Sequence, residues 1–231
     1  VWGDEQQSQL TAGAQGIVEL KNGAIIENAV IAIRTVEADE FANNEASGGG
    51  IIKADGAIFR NNKIAIQLTP YQNFNPVTGA QIKNFSYFKN CTFETSAELN
   101  DPSVKPDAFV KLYGVQGINF FGNTFQNTRT GDVPFNEKGS GIVTVDAPFT
   151  ADELCTSGTI PCTSTITNTF KGLYYGINSE NIFSDRPVTI RNNVFEDNTM
   201  GILLKTVNKA TVTSNSFTAT PLDNGIYLDA C

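Results

Sequence analysis

Residues 191–205 read RNNVFEDNTMGILLK, and this stretch is the most complete copy of a motif that recurs along the chain. Its phenylalanine, Phe195, stands seven residues before Ile202, which follows a glycine. The first position of the motif is occupied in turn by Ile26, Phe59, Phe93, Phe125, Phe170, Phe195 and Phe217. The second position is occupied by Ile33, Ile66, Phe109, Ile142, Ile177, Ile202 and Ile226. We therefore predict seven copies, some of them interrupted by loops.

The period of the motif indicates a β-solenoid. Copies near the C-terminus follow one another after 22 to 25 residues, which is too short for a repeat of two helices and suits one solenoid coil. The segments VTIRNNVF and TVTSNSF alternate apolar and polar residues and are rich in β-branched side chains, which favours strands. Stacked coils place equivalent residues about 4.8 Å apart, so the two motif positions are predicted to form apolar ladders inside the solenoid.

A second feature of the repeat is an asparagine two residues before the phenylalanine. It occurs in four consecutive copies, at Asn123, Asn168, Asn193 and Asn215. Asparagine carries both donors and an acceptor, so a stacked column of these side chains can hydrogen-bond along the solenoid. The first three copies have Ala24, Ala57 and Cys91 at this position, and the column is expected to be absent there. The Gly or Ala before the second motif position is predicted to mark a tight bend.

The pattern N-x-[IF]-x-x-N-x-x-G-I-x-[LV], which residues 193–204 match, resembles the repeat of right-handed parallel β-helix proteins of the pectate-lyase-like superfold. The segments QGIVELKNGAIIENAVIAI and GGGIIKADGAIFRNNKIAIQL resemble repeats of large exported bacterial surface proteins, including cargo of the type IX secretion system. The resemblance implies an all-β fold and a secreted or cell-surface location. The fold hosts lyases, hydrolases, epimerases and adhesins, so it does not select a function.

The predicted organisation is a single parallel β-helix domain over residues 1–231, about seven coils of a longer solenoid with further domains in the same chain. Residues 1–14 form a segment that leads into the first coil. Long loop insertions are expected near residues 69–81, 94–107, 126–140 and 147–163.

The composition excludes several functional classes. The formal net charge is −8 and no strongly basic run is present, which argues against nucleic acid as a partner. The chain has no histidine, which removes Ser-His-Asp and Cys-His catalysis and His-ligated zinc. No apolar stretch of about 18 residues occurs, so no membrane span is predicted.

The four cysteines divide into three cases. Cys155 and Cys162 flank the turn-rich sequence TSGTIP and are predicted to form a disulfide, which indicates an extracellular protein. The alternative, a metal or redox pair, would require a different spacing or a nearby histidine. Cys91 lies within the repeat and is predicted to be a buried apolar residue. The pairing of Cys231 stays open.

Two short stretches carry candidate chemistry. Glu196 and Asp197 could ligate Ca²⁺, the one cofactor considered, although two acids more commonly form a solvated turn because Ca²⁺ takes six or more oxygens. RPVTIR, from Arg186 to Arg191, approaches the R-x-P-x-x-R pattern of the lyases that the chain resembles. Its proline follows Arg186 directly, so the spacing departs from that pattern, and the two arginines are otherwise read as flanking a strand.

The inserted loops are the other candidates. Loops 94–107 and 126–140 interrupt neighbouring coils between the two motif positions and are predicted to meet at one corner. There they would gather six charged residues, Asp101, Lys105, Asp107, Arg129, Asp132 and Glu137. Loops 69–81 and 147–163 follow the second motif position and are predicted to share another corner. That corner would hold three aromatic residues able to stack on sugars, Tyr71, Phe74 and Phe149. Alternatively, these loops cover the surface or pack against a neighbouring domain.

Two functions remain in view. The first is a non-catalytic secreted or cell-surface β-helix protein, adhesin-like or glycan-binding, whose partner is a polysaccharide or cell-surface glycan. The alternative is a polysaccharide lyase or glycoside hydrolase acting on an acidic polysaccharide. Glycoside hydrolysis requires two carboxylates about 5–9.5 Å apart across a groove. No residue is assigned a catalytic role.

Overall fold

The computed structural model describes residues 1–35, 48–183, 185–218 and 224–229 of the chain. These residues form three parallel sheets of seven strands, and each coil contributes one strand to each sheet. The protein is therefore a right-handed parallel β-helix of seven coils, as the sequence predicts. Within the described ranges, the only helix is the 3₁₀ turn Phe135–Glu137. No helix there is long and apolar enough to cross a membrane. Cys231 lies outside the described residues.

Strands are numbered in chain order, and each coil contributes them to the first, second and third sheets in turn. The first sheet contains β1 (Ile17–Lys21), β4 (Ile51–Asp55), β7 (Tyr87–Lys89), β10 (Ile118–Phe121), β13 (Phe149–Asp152), β18 (Val188–Arg191) and β21 (Ala210–Thr213). The second sheet contains β2 (Ile25–Glu27), β5 (Ile58–Arg60), β8 (Thr92–Thr95), β11 (Thr124–Asn127), β16 (Thr169–Lys171), β19 (Val194–Glu196) and β22 (Ser216–Thr218).

The third sheet contains β3 (Ile31–Arg34), β6 (Ile64–Leu68), β9 (Ala108–Tyr113), β12 (Ser140–Val145), β17 (Tyr175–Glu180), β20 (Met200–Lys205) and β23 (Asn224–Asp229). A separate antiparallel hairpin is formed by β14 (Leu154–Cys155) and β15 (Thr165–Ile166). We call the turn from the first to the second sheet the first corner, the next turn the second corner, and the return to the first sheet the third corner.

The first motif position forms a ladder along the second sheet. All seven predicted residues pair in register, from Ile26 at one end to Phe217 at the other. The six phenyl rings stack nearly parallel, with successive centroids 4.7 to 4.9 Å apart. Stacked aromatic pairs contribute about 0.5–1.5 kcal/mol each beyond the burial of their area, so the ladder is a main source of stability.

The second motif position forms a ladder along the third sheet, with one correction. In the third coil the ladder residue is Val110, which pairs with Ile66 and Ile142, and the predicted Phe109 is wrong. Phe109 stands one residue earlier and packs its ring 6.2 Å from that of Phe93. Both residues are buried and apolar, so the sequence pattern fits either one, and only strand pairing decides between them.

The small residues before the second motif position do not mark a bend. Gly141, Gly176 and Gly201 lie inside β12, β17 and β20 and have no left-handed φ angle. A Cβ atom on Gly176 would lie 2.7 Å from the ring of Phe195 and 2.6 Å from the carbonyl oxygen of Gly201. Glycine is needed here because the phenylalanine of the following coil packs directly against its backbone.

At the first corner, the four asparagines form a hydrogen-bonded column. The backbone N–H of Asn123 donates to Oδ1 of Asn168 at 2.8 Å, and Nδ2 of Asn168 donates to Oδ1 of Asn193 at 2.8 Å. Nδ2 of Asn193 donates in turn to Oδ1 of Asn215 at 2.9 Å. The column ends at Cys91, whose N–H donates to Asn123. Cys91 is buried, and burial raises the pKa of its thiol to about 11.

The loop predicted at 147–163 lies at a different corner from the one expected. Residues Phe149–Asp152 are strand β13 of the first sheet, and the inserted hairpin after them leaves at the first corner. The hairpin is closed by the predicted disulfide between Cys155 and Cys162. Loop 69–81 follows β6 and leaves at the third corner, so the two loops do not share a corner. PFTAD lacks the repeat motif, and the place of this strand is defined only by its pairing with β10 and β18.

The N-terminal segment packs against the loop at the third corner. The backbone N–H of Gln9 donates to Oδ1 of Asn73 at 2.9 Å, and its side chain donates to the carbonyl oxygen of Gly50 at 3.0 Å. The N–H of Gly50 also donates to Oε1 of Gln15 at 2.6 Å. These contacts occupy the inner side of loop 69–81 with residues of the same chain.

Candidate functional site

Among the six coils whose second corner the structure describes, long insertions interrupt it in the third and fourth only. Elsewhere this corner is a short turn with one residue in the left-handed conformation, as at Asn28, Asn61, Gly172 and Asp197. The third coil instead has a loop between β8 and β9, and the fourth has one between β11 and β12. Because the two coils are adjacent, the loops meet, as the sequence predicts.

An ion-pair network joins the two loops. Lys105 Nζ lies 2.9 Å from Glu137 Oε1, and Arg129 Nη1 lies 3.5 Å from Glu137 Oε2. Arg129 also donates a hydrogen bond to the carbonyl oxygen of Glu137. The hydrogen bond from Lys105, assisted by the charge of Arg129, holds the pKa of Glu137 below its usual value. The network fixes the 3₁₀ turn relative to the loop of the preceding coil.

The other three charged residues predicted for this corner do not join the network. Asp101 accepts hydrogen bonds from the backbone and hydroxyl of Ser103, which lower the pKa of the Asp101 carboxyl. Asp107 pairs with Lys111, with 2.6 Å between Nζ and Oδ2. Asp132 is exposed and lines a cleft. The structure thus brings Lys105, Arg129 and Glu137 together and leaves the three aspartates with separate environments.

An exposed aromatic side chain lies at the centre of this corner. Phe135, in the 3₁₀ turn, is 63% exposed. The ammonium group of Lys138 lies 5.3 Å from its ring centroid, and the ring of Tyr174 lies 6.5 Å away. Sequence reasoning did not select Phe135. The sequence VPFNE carries no signal that separates Phe135 from Phe149, which also follows a proline in a predicted loop.

Two clefts adjoin Phe135, each of about 500 Å³. We call them cleft 1, on the side of the C-terminal coils, and cleft 2, on the side of the N-terminal coils. The principal side chains of cleft 1 are those of Asn127, Arg129, Asp132, Phe135, Lys138 and Asp197. Those of cleft 2 are Lys63, Val104, Lys105, Asp107, Phe135 and Tyr174. The ring of Phe135 is common to both, so the two clefts adjoin at this residue.

The predicted aromatic platform at the third corner does not form. Tyr71 and Phe149 are buried, with 4% and 3% of their surface exposed. The hydroxyl of Tyr71 donates to the carbonyl oxygen of Gln7 at 2.7 Å, and burial raises the pKa of Tyr71 to about 12. Phe149 belongs to the first sheet and packs against Phe120 in the core. Phe74 is half-buried against the N-terminal segment. These residues were selected as loop aromatics, but pairing and packing bury them.

The two candidate Ca²⁺ ligands, Glu196 and Asp197, lie on different surfaces. Glu196 pairs with Lys171 on the outside of the second sheet, at 2.9 Å, whereas Asp197 lines cleft 1. No group of three or more acidic or thiol side chains suitable for a metal ion occurs among the described residues. Since Ca²⁺ takes six or more oxygen ligands, this pair does not fit a Ca²⁺ site.

Arg191, at the end of the lyase-like stretch, has a partner of its own. Its Nε lies 2.6 Å from Oδ2 of Asp152, and Asn192 donates to the other oxygen of the same carboxylate at 2.9 Å. Arg186 accepts a hydrogen bond on its carbonyl oxygen from Asn181 at 3.1 Å. Arg191 therefore flanks its strand at the first corner and belongs to the structure of that corner.

Comparison of the chain with protein-family models, with curated proteins and with solved structures finds no match. The class of protein is defined by the fold, a right-handed parallel β-helix with two inserted loops joined at its second corner. Its function has to be argued from that corner.

Proposed function

We propose that this protein is a non-catalytic β-helix protein of the cell surface or of the secreted fraction, which binds glycans at its second corner. The exposed ring of Phe135 between two polar clefts is the observation that carries the proposal. The C–H face of a sugar ring packs on an aromatic ring, while its hydroxyl groups hydrogen-bond to polar side chains around it. Clefts with an apolar surface and a few convergent polar groups are typical of ligand sites.

Ion pairs hold the loop around Phe135, which favours binding. The loop that carries it is tied to the preceding coil through Lys105, Glu137 and Arg129. Lys138 lies over the ring and also approaches the hydroxyl of Thr199, 3.4 Å away. A loop already held in place loses little freedom when a ligand binds, and this lowers the cost of association.

An extracellular location accords with the disulfide between Cys155 and Cys162, because such bonds persist in oxidising compartments. It also accords with the resemblance of the first two coils to repeats of exported bacterial surface proteins, such as cargo of the type IX system. Adhesins of this kind present loops from a rigid solenoid.

The test compares glycan binding by the wild-type protein and by Phe135→Ala, on a glycan array and then by calorimetry. We expect at least a tenfold loss of affinity in the variant, about 1.4 kcal/mol of binding free energy. Phe183→Ala is the matched control, because Phe183 is 89% exposed but lies at the third corner. Equal binding by Phe135→Ala and the wild type would rule out the proposed site.

The alternative function, a lyase or hydrolase acting on an acidic polysaccharide, has one observation in its favour. Two carboxylates, Asp132 and Asp197, line the same cleft. Incubation with acidic polysaccharides, followed by assays for reducing ends and for unsaturated products, separates the two functions. We expect no turnover. Turnover that is lost in Asp132→Asn or Asp197→Asn would establish the enzyme and overturn the non-catalytic proposal.

A further inference from the structure

We infer that the ligand of the second corner is a linear glycan in which an anionic sugar is followed by an uncharged one. The anionic sugar would lie in cleft 2 beside Lys63, and the uncharged sugar would lie in cleft 1. This inference rests on the proposed function and specifies its ligand. It follows from how the charges of the two clefts are compensated.

Cleft 2 contains a cation without a counter-charge. Its carboxylate, Asp107, is engaged by Lys111 at 2.6 Å, and Lys105 is engaged by Glu137 at 2.9 Å. Lys63 makes no ion pair with any residue that the structure describes. An anionic group in cleft 2 would therefore meet a free ammonium group.

The backbone of Lys63 is fixed on both sides. Its N–H donates to the carbonyl oxygen of Ala29 at 2.9 Å, and its own carbonyl oxygen accepts from the N–H of Asp107 at 3.0 Å. The residue is half-buried beneath the loop of the third coil. Its side chain lines cleft 2, where a carboxylate or sulfate of a sugar is the group complementary to its ammonium.

The charges that line cleft 1 balance one another. Asp132 and Asp197 line it, and neither forms an ion pair within the described part of the chain. Arg129 and Lys138 line it as well, and the single charge of Glu137 is shared between Arg129 and Lys105. Two carboxylates therefore match two cations in cleft 1, which offers no excess positive charge to a second anionic sugar.

The two clefts together span enough coils for an oligosaccharide. Lys63 belongs to the second coil and Asp197 to the sixth, and four coil spacings correspond to about 19 Å along the solenoid. The net charge of −8 also opposes a densely anionic polymer. The arrangement favours isolated negative charges separated by uncharged units over a continuous polyuronate.

The experiment measures binding of three hexasaccharides by calorimetry at low and moderate salt. One is a hyaluronan hexasaccharide, which alternates uronate with an uncharged amino sugar; the others are hexagalacturonate and cellohexaose. We expect the wild type to bind the alternating oligomer at least tenfold more tightly than either of the others. The preference should weaken as salt is added.

Three variants test the roles of the charges. Lys63→Met should reduce affinity for the alternating oligomer about tenfold, to the level of cellohexaose. Lys53→Met is the matched control, because Lys53 lies on the first sheet and pairs there with Glu19. Asp132→Asn combined with Asp197→Asn should raise the affinity for hexagalacturonate.

The outcomes distinguish this inference from the proposed function. Unchanged binding by Lys63→Met, equal binding of hexagalacturonate and the alternating oligomer, or no binding of any probe would overturn the inference. If Lys63→Met binds normally, or if hexagalacturonate binds as tightly as the alternating oligomer, loss of cellohexaose binding in Phe135→Ala would still support the glycan site. Binding of all three probes that is insensitive to Phe135→Ala would overturn the proposed function as well.

Discussion

The first and second corners of the solenoid use similar polar residues for opposite purposes. At the first corner, Asn168 is fully buried and its amide serves both neighbouring coils: Oδ1 accepts from Asn123, and Nδ2 donates to Asn193 and to Asp152. At the second corner, Asp132 is exposed and makes no ion pair within the described ranges. A polar residue of this fold has a structural role where the stacked backbones satisfy its hydrogen bonds. It is available to a ligand where an inserted loop holds it away from the stacked coils.

Removing the centre of the asparagine column should have the largest effect. We expect Asn168→Ala to lower the free energy of unfolding by about 3–5 kcal/mol, because several buried donors and acceptors lose their partner together. The shift of the denaturation midpoint measures it. The same change at Asn136, which is exposed in the loop of the second corner, should alter stability by less than about 0.5 kcal/mol. Equal losses of stability at the two positions would contradict the distinction between the corners.

The glycine column gives a smaller expected effect within the same core. Gly176→Ala should cost about 1–3 kcal/mol, because the added methyl group would overlap the ring of Phe195 and the next backbone. Gly225→Ala is the control, because its Cβ would lie 3.6 Å from Phe217, an ordinary contact. Thermal melts of both variants test the expectation. A harmless substitution at Gly176 would show that the coils can separate slightly without loss of stability.

A change of pH that breaks the loop network should weaken glycan binding rather than lower the stability of the coils. The pKa of Glu137 is lowered, so its interaction with Lys105 is fully formed above the usual value of 4.5 and is lost as pH falls through the lower folded-state pKa. We expect binding that depends on Phe135 to weaken below pH 4.5.

Glu137→Gln should bind more weakly at neutral pH and show a flatter pH profile, measured by calorimetry from neutral to acidic pH. Asp101→Asn is the control, because Asp101 also has a lowered pKa but its carboxyl group bonds to Ser103 and lies outside the ion-pair network. A wild-type profile in Glu137→Gln would show that the network does not position the binding loop.

Much of the solenoid could be predicted because its repeat is local and regular. The spacing from Phe195 to Ile202 recurs in most coils, and stacking then places equivalent residues in register. The prediction failed where the sequence departs from the motif, as at β13, or offers two adjacent apolar residues, as at Phe109 and Val110. In those places register depends on pairing with another coil, which local spacing does not contain.

The candidate site was predicted less completely. The meeting of the two loops follows from their equal position in adjacent coils, and it places Lys105, Arg129 and Glu137 together. Nothing in the sequence separates the exposed Phe135 from the buried Phe149, because both are aromatic residues in segments outside the motif. Their roles depend on which neighbours cover them.

The sequence by itself determined the seven coils, the inward ladders, the asparagine column and the disulfide, because each depends on residues repeated at fixed spacing or held in one short loop. Only the tertiary structure decided which charges are compensated and which aromatic side chain is exposed. Lys63 and Asp107 are far apart in the chain, and their backbones meet through the stacking of the second and third coils. Burial and pairing are relations between coils, so they are fixed only when the coils are assembled.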